Sequence, residues 1–431
     1  MAHTTPYPSH HVSQDERAPV QWFVGIDWGT QHHQVCVLDH TRQCVGTRTV
    51  EHSGAGLAQL ATWLTALASG TPACVAVAIE VPRGPVVETL VERGFPVFTL
   101  NPKQLDRFRD RHTVAGAKDD RRDAFVLADS LCTDMSSFRP VCLDEPQVLV
   151  LRELSRAEEA LGEEFRRAAN RLREQWYRFY PQMLHLCPAA DEVWLWALWE
   201  LVPTPAHAAS VTEEEVQRVL HIHRIRRVSA ADVLAVLRTP AVQVAPGAVE
   251  AACAHCALLV PCLRVLAEQL KRCASEVEAL LTALAAPADP TTGPSDVAIV
   301  QSLPGVGRKI TAWLFAEAAQ ALTERDYQRL RTHGGVAPVT RQSGKRTQVV
   351  MRYGCNPRLR NALFHLARNA VQCDATFKSI YAALKQKGQR RGRALRSIAD
   401  RLLRVLVAML RAQTLYDFSQ VHSGIASQQE G

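Results

Sequence analysis

The chain has 431 residues, of which 47% are hydrophobic and 22% are charged, and its formal net charge is +7. This composition excludes a chain too polar to bury a core, and the length predicts two or three domains. The first 20 residues have no apolar core, which excludes a signal peptide and predicts a disordered arm. No apolar run is expected to span a bilayer, because Arg404 interrupts "RLLRVLVAML". Twelve cysteines scattered through apolar runs indicate buried thiols in a reducing compartment, so we expect a cytoplasmic protein.

Residues 21–140 alternate strand and helix patterns. Three short Val-rich runs bounded by turns, "QWFVGID", "HQVCVLD" and "CVGTRTV", predict a meander of hairpins. The run "CVAVAIE" is continuously apolar, as is typical of a buried parallel strand, and "PVFTL" predicts another. With the helical stretches between them the order is βββαβαβα. We therefore expect an α/β domain of the ribonuclease-H-like type.

The first strand delivers Asp27 into a Gly-Thr turn. Such a turn handles the phosphates of ATP in sugar kinases and chaperone ATPases, whereas in ribonuclease-H-like nucleases the same strand end holds a metal ion. The ATPase fold needs two copies of the domain, each with its own phosphate turn. The D-x-G-T pattern occurs once, and long helices follow before a second copy could fit. The sequence therefore favours the nuclease-like alternative.

Four carboxylates are candidates for one site. Asp27 and Glu80 close strands that we expect to be neighbours, and Asp120 and Asp123 share a face of a predicted helix. Such a cluster repels itself unless cations neutralise it, and Mg²⁺ prefers carboxylate oxygens. Two such ions can activate an attacking oxygen and stabilise a leaving one. On the residues alone another interpretation stays open: Glu80 caps the next helix, and Asp119, Asp120 and Asp123 are first-turn acids favoured by the helix dipole.

Residues 145–285 are predicted to contain two long helices. Apolar side chains from Leu151 to Phe179 step by threes, fours and one seven, and those from Leu263 to Leu284 alternate threes and fours. The second spacing predicts a coiled-coil seam. We expect these helices to pack on each other or on a second subunit.

Between the long helices lies a helical insert, residues 186–260, rich in Trp and His. Its Trp cluster could stack bases but is more typical of a core or a subunit interface. Its lone Cys253–Cys256 pair favours core thiols over a zinc site, because no second pair stands at the required spacing. His221 and His223 are expected on a helix surface.

A linker composition covers residues 286–296, followed by a mainly α-helical domain at 297–417 and a disordered tail at 418–431. The domain begins with "LPGVGRKIT", where a Gly-x-Gly turn presents free N–H groups beside the positive end of a helix. The two cations that follow favour a helix-hairpin-helix-like element that grips DNA backbone. An ordinary helix–helix turn is the alternative.

Ser343 is the candidate nucleophile of this domain. It lies in a Gly-flanked loop between Arg341 and the pair Lys345 and Arg346. A serine hydroxyl is a weak nucleophile unless activated, and these cations could stabilise charge on a phosphate that it attacks. Turn formation is the more usual role of a loop serine.

Positive charge is concentrated near the C-terminus. Between Arg341 and Arg411 there are 17 Lys and Arg against two acids, so this stretch carries +15 and the rest of the chain −8. A local, Arg-rich excess favours a face that meets nucleic acid over an ordinary solvated helix surface.

These motifs together resemble the DEDD transposases of the insertion-sequence one-ten family, which are bridge-RNA-guided serine recombinases, over about residues 21–417. The N-terminal hallmarks are "VGIDWGTQHHQVCVLD", "AIEVPRGPVVETLVERGFPVFTLNP" and "AKDDRRDA". The C-terminal hallmarks are "LPGVGRKIT", "GGVAPVTRQSGKR" and "GCNPRLRNALFHLA". The family's K-x-D-x-x-D-A pattern falls on Lys118, Asp120, Asp123 and Ala124, which selects Asp120 over Asp119.

The resemblance implies a RuvC-like domain in which Asp27, Glu80, Asp120 and Asp123 bind Mg²⁺, with two ions expected. It implies that Ser343, ahead of the Gly-Lys of an S-G-K-type loop, attacks a DNA phosphodiester and forms a covalent phosphoserine link. Some family members carry a second glycine in this loop, which is absent here. The RuvC-like and transposase domains that form one active site come from different subunits, so a dimer or tetramer is expected.

The implied partners are donor DNA, target DNA and a structured noncoding guide RNA, in a bacterial cytoplasm and on the nucleoid when bound. Base pairing would then choose the sequence, while the protein contacts backbone. The residues expected to contact nucleic acid are Lys118, Arg121, Gly305, Gly307, Arg308, Lys309, Arg341, Lys345, Arg346, Arg352, Arg358 and Arg360.

Two other functions stay open. A RuvC-like, structure-selective endonuclease of the Holliday-junction resolvase type would use the same acids without a covalent intermediate. A nucleic-acid-binding remnant would carry no catalysis, although the intact acids and serine argue against it.

Overall fold

A computed structural model of the chain describes residues 19–100, 102–111, 119–245, 247–286, 293–344 and 346–417. The chain divides into two compact units with the boundary between Leu143 and Asp144. Most of the predicted arm, the predicted tail and much of the predicted linker lie outside the described residues, as do Lys118 and Lys345. The predicted domain boundaries therefore stay predictions.

The first unit is a mixed sheet with helices on both faces, as predicted. Its elements are β1 (Trp22–Asp27), β2 (His32–Asp39), β3 (Cys44–Glu51), α1 (Gly54–Leu67), β4 (Val75–Ile79), α2 (Pro85–Glu92), β5 (Val97–Thr99), α3 (Pro102–Arg109), α4 (Asp120–Asp134) and β6 (Arg139–Pro140).

The sheet order is β3-β2-β1-β4-β5-β6. The first three strands form the predicted antiparallel meander, and β4 and β5 extend it in parallel. This confirms the mixed α/β organisation. The two-residue strand β6, antiparallel to β5, was not predicted, because a pair such as Arg139 and Pro140 carries no periodicity.

Alternation along β1 places a core on each face of the sheet. Val24 and Ile26 belong to the core that α1 and α2 cover, whereas Phe23 belongs to the core that α4 covers. All five residues of β4 are buried, as expected of a central parallel strand with both faces covered.

In the residues that the structure describes, the regular secondary structure of the second unit is helical apart from one hairpin. Its elements are α5 (Pro146–Phe179), α6 (Gln182–Leu186), α7 (Val193–Leu201), α8 (Glu213–Ile222), α9 (Ala230–Leu237), α10 (Ala248–Ala285), α11 (Asp296–Gln301), α12 (Arg308–Thr323), α13 (Tyr327–His333), β7 (Val339–Ser343), β8 (Arg346–Val350), α14 (Pro357–Cys373), α15 (Ala375–Gln386) and α16 (Arg391–Ala412).

The two long helices α5 and α10 pack on each other in antiparallel orientation. Near one end Leu151 shares a core with Val277, and near the other Trp176 shares a core with Leu263. The apolar spacing therefore identified a helix–helix contact within the chain. Supercoiling into a coiled coil stays a prediction.

The second unit contains two separate cores. One core contains residues of helices α11 through α16 and of the ends of α5 and α10 near Leu151 and Val277. The other core fills the helical insert. Trp194, Trp196 and Trp199 are all buried in the insert core, so they are core residues and cannot stack bases.

By length and composition alone, α10 could cross a membrane, contrary to the expectation from the sequence. Core helices of other proteins pass the same criterion. Here Leu259, Val260 and Leu263 of α10 are buried in the insert core.

Candidate functional site

The carboxyl ends of two parallel neighbours, β1 and β4, carry the first two acids. Ile26 pairs with Ile79 in the parallel register, and Asp27 and Glu80 are the residues that follow on each strand. The two carboxylates therefore emerge side by side at one edge of the sheet. Glu80 does not cap α2, because that helix begins after Gly84 without a side-chain cap.

Helix α4 brings the other two acids to β1 because Gly25 leaves room for it. A Cβ at Gly25 would lie 1.9 Å from the carbonyl oxygen of Ala124 and 2.5 Å from the nitrogen of Ala128. The backbones of strand and helix are therefore in direct contact. Asp120 and Asp123 belong to the first turn of this helix.

The third candidate in that turn, Asp119, has a structural role. It is the N-cap of α4, and its carboxylate accepts a hydrogen bond from the backbone N–H of Arg121 at 3.2 Å. The capping alternative therefore applies to Asp119, whereas Asp120 and Asp123 lie inside the helix.

Asp27 reports the proximity of all four acids. Burial, followed by the charges of Asp123, Asp120 and Glu80, raises the pKa of Asp27 from 3.8 to about 6, and Arg109 opposes this shift. Each of the three other carboxylates is therefore near enough to Asp27 to disfavour its ionised form. The structure thus brings the predicted acids into one electrostatic cluster, which we call the acidic cluster.

Arg109 belongs to this cluster, although the sequence analysis did not identify it. Its guanidinium donates to both carboxylate oxygens of buried Asp123, at 2.7 and 2.8 Å, and to Asp106 at 2.8 Å. A bidentate pair of this kind neutralises one carboxylate and fixes its orientation. No local pattern in the sequence indicated that α3 would supply a cation to α4.

The acidic cluster fits a divalent cation by donor chemistry and by charge. Its donors are carboxylate oxygens, which Mg²⁺ prefers, and Asp27 carries a negative charge that its surroundings disfavour. Within the described ranges, no three of these carboxylates bring oxygens within 4.8 Å of one another. The acids are therefore neighbours rather than a closed cage.

A histidine pair, buried His33 and half-buried His52, supports the turn that follows Asp27. The N–H of Gly29 donates to Nδ1 of His33 at 3.3 Å, and Nε2 of His33 lies 2.9 Å from Nδ1 of His52. Because Nδ1 accepts, His33 carries its proton on Nε2 and is neutral. Burial, followed by the charges of His52 and His32, lowers the pKa of His33.

Ser343 ends strand β7 of a two-stranded hairpin, rather than lying in a loop as expected. It pairs with Arg346 across the hairpin, and Gly344 in the turn has a φ of 56°. Ser343 and Arg341 are both exposed, and two residues apart on a strand they share a face. The flanking polar residues hid this strand because they lack an apolar alternation.

Some residues expected to contact nucleic acid already have partners within the protein. Arg308 donates to both oxygens of Glu158 at 2.8 and 2.6 Å, Lys309 lies 3.3 Å from the same carboxylate, and Arg358 donates to Glu159 at 2.6 Å. These contacts pair three of the cations that were expected to meet a phosphate with two carboxylates.

The glycines of the predicted hairpin differ from one another. Gly305 has a φ of 74°, and a Cβ there would lie 2.6 Å from Cβ of Asn369, whose amide donates to the Gly305 carbonyl at 2.9 Å. Gly305 therefore serves packing against α14. Gly307 has open space around it and remains a candidate contact.

The remaining candidates differ in exposure. Arg121, Arg341 and Arg358 are exposed, whereas Arg352 and Arg360 are half-buried. Of Arg346 the backbone alone is described, in β8.

The cysteine pair of the insert behaves as core thiols. Cys256 is buried, and burial, with a smaller contribution from Cys253, raises the pKa of its thiol to about 12. Cys253 donates to the carbonyl of Pro203 at 3.4 Å.

In the described part of the chain, the ligand atoms of Cys187, Asp191 and Glu192 lie within 4.8 Å of one another, close enough for a metal ion. Glu192 is already bound by Arg227 and by the indole of Trp194, at 2.6 Å each. A metal ion bound there would compete with these partners, as it would with Arg109 at Asp123.

Two family matches cover much of the chain. Residues 24–181 match the DEDD transposase family, and residues 297–382 match the transposase family IS116/IS110/IS902. The first match contains the acidic cluster and the second contains Ser343.

Curated relatives point the same way. "Putative transposase y4uE" of Sinorhizobium fredii is 48% identical over 209 residues, which are 48% of this chain and 58% of that protein. This chain thus spans less than two thirds of that relative. "Mini-circle putative transposase for IS117" of Streptomyces coelicolor is 29% identical over 92% of this chain and 95% of its own length. The uncharacterized protein of insertion element IS116 from Streptomyces clavuligerus is 27% identical over 91% of this chain and 96% of its own length.

Proposed function

Because the chain belongs to the IS110/IS116/IS902 family of insertion-sequence transposases, we propose that it cuts and rejoins DNA to move an insertion sequence. The DNA strand would be joined to Ser343 between cutting and rejoining. The observation that carries this proposal is the acidic cluster around Asp27.

The acidic cluster would hold the divalent ions. Asp27, Glu80, Asp120 and Asp123 would supply carboxylate oxygens, with Arg109 holding Asp123 in place. When bound, Mg²⁺ would polarise the phosphate and stabilise the departing oxygen. The DEDD family match supports the use of a divalent metal in general, and two Mg²⁺ ions are our more specific proposal.

Ser343 would act as the nucleophile. Its Oγ loses a proton and bonds to phosphorus, the phosphorus–oxygen bond to the departing deoxyribose breaks, and that oxygen takes up a proton. The reverse step, with the hydroxyl of another DNA strand as nucleophile, releases Ser343 and rejoins DNA. The exposure of Ser343 and Arg341 on one face of the hairpin supports this role, because a DNA phosphate can reach them.

The acids and Ser343 belong to different units of the chain, and we propose that one site takes its acids from one subunit and its serine from another. We propose a homodimer or homotetramer that binds donor DNA, target DNA and a structured guide RNA. The +15 charge between Arg341 and Arg411 supports backbone contacts with these polyanions. A bacterial cytoplasm, with association to the nucleoid when DNA is bound, follows from such partners.

The test is to trap the covalent intermediate. Protein is incubated with Mg²⁺, a plasmid that carries the gene with its flanking DNA, and RNA transcribed from that flank. Denaturing electrophoresis should show protein–DNA adducts for the wild type and none for Ser343→Ala. Thr347→Ala removes another exposed hydroxyl from the same hairpin and should leave adduct formation unchanged.

If Ser343→Ala still cuts DNA in the presence of Mg²⁺ and no adduct forms with the wild type, the serine mechanism is wrong. The chain would then act as a structure-selective endonuclease that uses water as the nucleophile.

A further inference from the structure

Three arginines adopt the left-handed backbone conformation, which side chains other than glycine rarely adopt. They are Arg42, Arg224 and Arg325, with φ values of 67°, 56° and 54°. Two of them place the guanidinium on a carboxylate. Arg42 donates to Asp129 at 2.6 Å, and Arg325 donates to both oxygens of Asp296 at 2.5 and 2.7 Å.

Arg224 has no such partner. Its side chain is exposed, and among the described residues it makes no hydrogen bond or ion pair through its guanidinium. Two backbone hydrogen bonds nevertheless fix the conformation. The N–H of Arg224 donates to the backbone carbonyl of His221 at 3.0 Å, and the N–H of Ile225 donates to the backbone carbonyl of Leu220 at 2.8 Å. This pattern ends helix α8 at a position where glycine is the favoured residue.

The neighbours of Arg224 are also basic. Residues 218–228 contain four arginines, two histidines and no acid. Arg226 is exposed and, in the described part of the chain, likewise has no partner for its guanidinium. By contrast Arg227 binds Glu192 at 2.6 Å, and Arg238 donates to two backbone carbonyls at 3.0 and 2.9 Å.

The helix dipole explains only part of this arrangement. The negative end of α8 favours a cation near its last turn, which applies to Arg224 just beyond the helix. The dipole does not require an arginine in a strained backbone conformation, and its effect falls off before Arg226. Arg42 and Arg325 indicate how this chain uses such an arginine: its guanidinium meets an anion.

We propose that the turn between α8 and α9, residues 223–228, binds phosphate groups of a nucleic-acid backbone through Arg224 and Arg226. The inference rests on the proposed function, which supplies the nucleic acid, and assigns one contact of that nucleic acid to the helical insert. A planar guanidinium fits phosphate oxygens with two parallel hydrogen bonds. An exposed acid-free turn is suited to a polyanion, whereas a protein partner would require a larger apolar centre.

Arg224→Gly separates a binding role from a structural one. Glycine adopts the left-handed conformation without strain, so the variant folds and its thermal midpoint should rise slightly. Its affinity for nucleic acid should nevertheless fall several-fold. If Arg224 were only part of the helix end, the gain in stability would come with unchanged affinity.

Binding is measured by fluorescence anisotropy with two probes, a labelled mixed-sequence single-stranded RNA and a labelled DNA duplex. For the double variant Arg224→Gly/Arg226→Gln, the slope of log affinity against log salt should become shallower. The change should be about 0.7 per lost contact with the RNA or about 0.9 with the duplex. Arg272→Gln, which removes an exposed arginine from α10 that is paired with Glu276, is the matched control and should change neither slope.

If the variants lose affinity for one probe alone, that probe identifies the class of nucleic acid that is bound. If they lose affinity for both probes, the turn makes a general contact with nucleic-acid backbone. Unchanged affinity and slope in both variants, with normal binding by the wild type, would overturn this inference alone. Failure of the wild type to bind either probe would overturn the proposed function as well.

Discussion

At the scale of single residues, Asp27 and His33 lie close together in the sequence, and the surroundings of each disfavour the charged form of its side chain. Burial, followed by the charges of the neighbouring carboxylates, raises the pKa of Asp27 to about 6. His33 is buried and neutral, and it holds the N–H of Gly29 just beyond Asp27. The turn therefore combines a carboxylate whose ionisation is disfavoured with a backbone N–H that a buried side chain holds in place.

Replacing Asp27 by Asn should stabilise the protein when no divalent ion is present. The raised pKa means that ionised Asp27 destabilises the fold as pH rises from 3.8 to about 6, and this penalty is complete above that range. We expect a gain of about 1 kcal/mol in the free energy of unfolding at pH 7 in EDTA, after allowance for solvent screening. Urea unfolding measures it.

The same Asp27→Asn protein should fail to bind Mn²⁺ in calorimetry. Asp119→Asn is the control, because asparagine caps a helix as well as aspartate does, and it should change neither stability nor Mn²⁺ binding. A destabilised Asp27→Asn protein would contradict the electrostatic description of the cluster.

His33 predicts a loss of stability on acidification. Its pKa in the native protein lies below the ordinary value of 6.5, so the unfolded chain takes up a proton first as pH falls. The free energy of unfolding should therefore decrease below pH 6.5 until the native pKa is passed. Denaturant titrations across this range should give a flatter profile for His33→Asn, whose side-chain oxygen can still accept from Gly29. Equal profiles for both proteins would exclude His33 as the titrating group.

At the scale of secondary-structure elements, the contact between β1 and α4 positions the acids. Gly25 is the point of closest approach, and it brings the first turn of α4 to the strand end that carries Asp27. Any side chain at position 25 must push the helix away from the sheet.

Gly25→Ala should destabilise the first unit by about 3 kcal/mol or more, because the clash is with backbone atoms rather than with an adaptable side chain. It should also weaken Mn²⁺ binding, since Asp120 and Asp123 move with α4. Thermal unfolding and calorimetry measure the two effects. Gly54→Ala, at the start of α1 with open space around it, should be neutral or slightly stabilising. Unchanged Mn²⁺ affinity in Gly25→Ala would disprove the link between this contact and the site.

The secondary-structure elements also show which parts of the structure could be predicted from the sequence. The order of the first five strands and the neighbouring positions of Asp27 and Glu80 followed from apolar runs and strand ends, whereas the family resemblance selected Asp120 over Asp119. Arg109 could not be predicted, because its pairing with Asp123 depends on how two helices lie in space. The hairpin at Ser343 lacked an apolar alternation, and the burial of Arg308 against Glu158 depends on a contact 150 positions apart in sequence.

At the scale of the whole molecule, the chain separates its chemistry between two compact units. The acidic cluster belongs to residues before Leu143 and Ser343 belongs to residues after Asp144. A complete site in the proposed mechanism needs both, supplied by one chain or by two.

Mixing two inactive variants distinguishes these cases. If each site takes acids from one subunit and serine from another, Asp27→Asn mixed with Ser343→Ala should restore adducts. One site of each mixed dimer would then contain both wild-type groups, and the other neither. We expect yields of roughly a quarter of the wild type for random pairing. The double variant, which carries both substitutions in one chain, should form no adducts when it is mixed with either single variant. No restoration after co-refolding would indicate that each chain supplies its own serine.

The antiparallel pair of α5 and α10 has a consequence for how such a protein can change in length. Residues 180–247 connect the end of α5 to the start of α10. The core that they form with these helix ends shares no residue with the core at the opposite ends of the two helices. A shorter, longer or different segment at residues 180–247 should therefore leave the opposite ends of both helices in place. The pair thus provides a junction at which the insert can change while the core that contains Leu151 and Val277 is preserved.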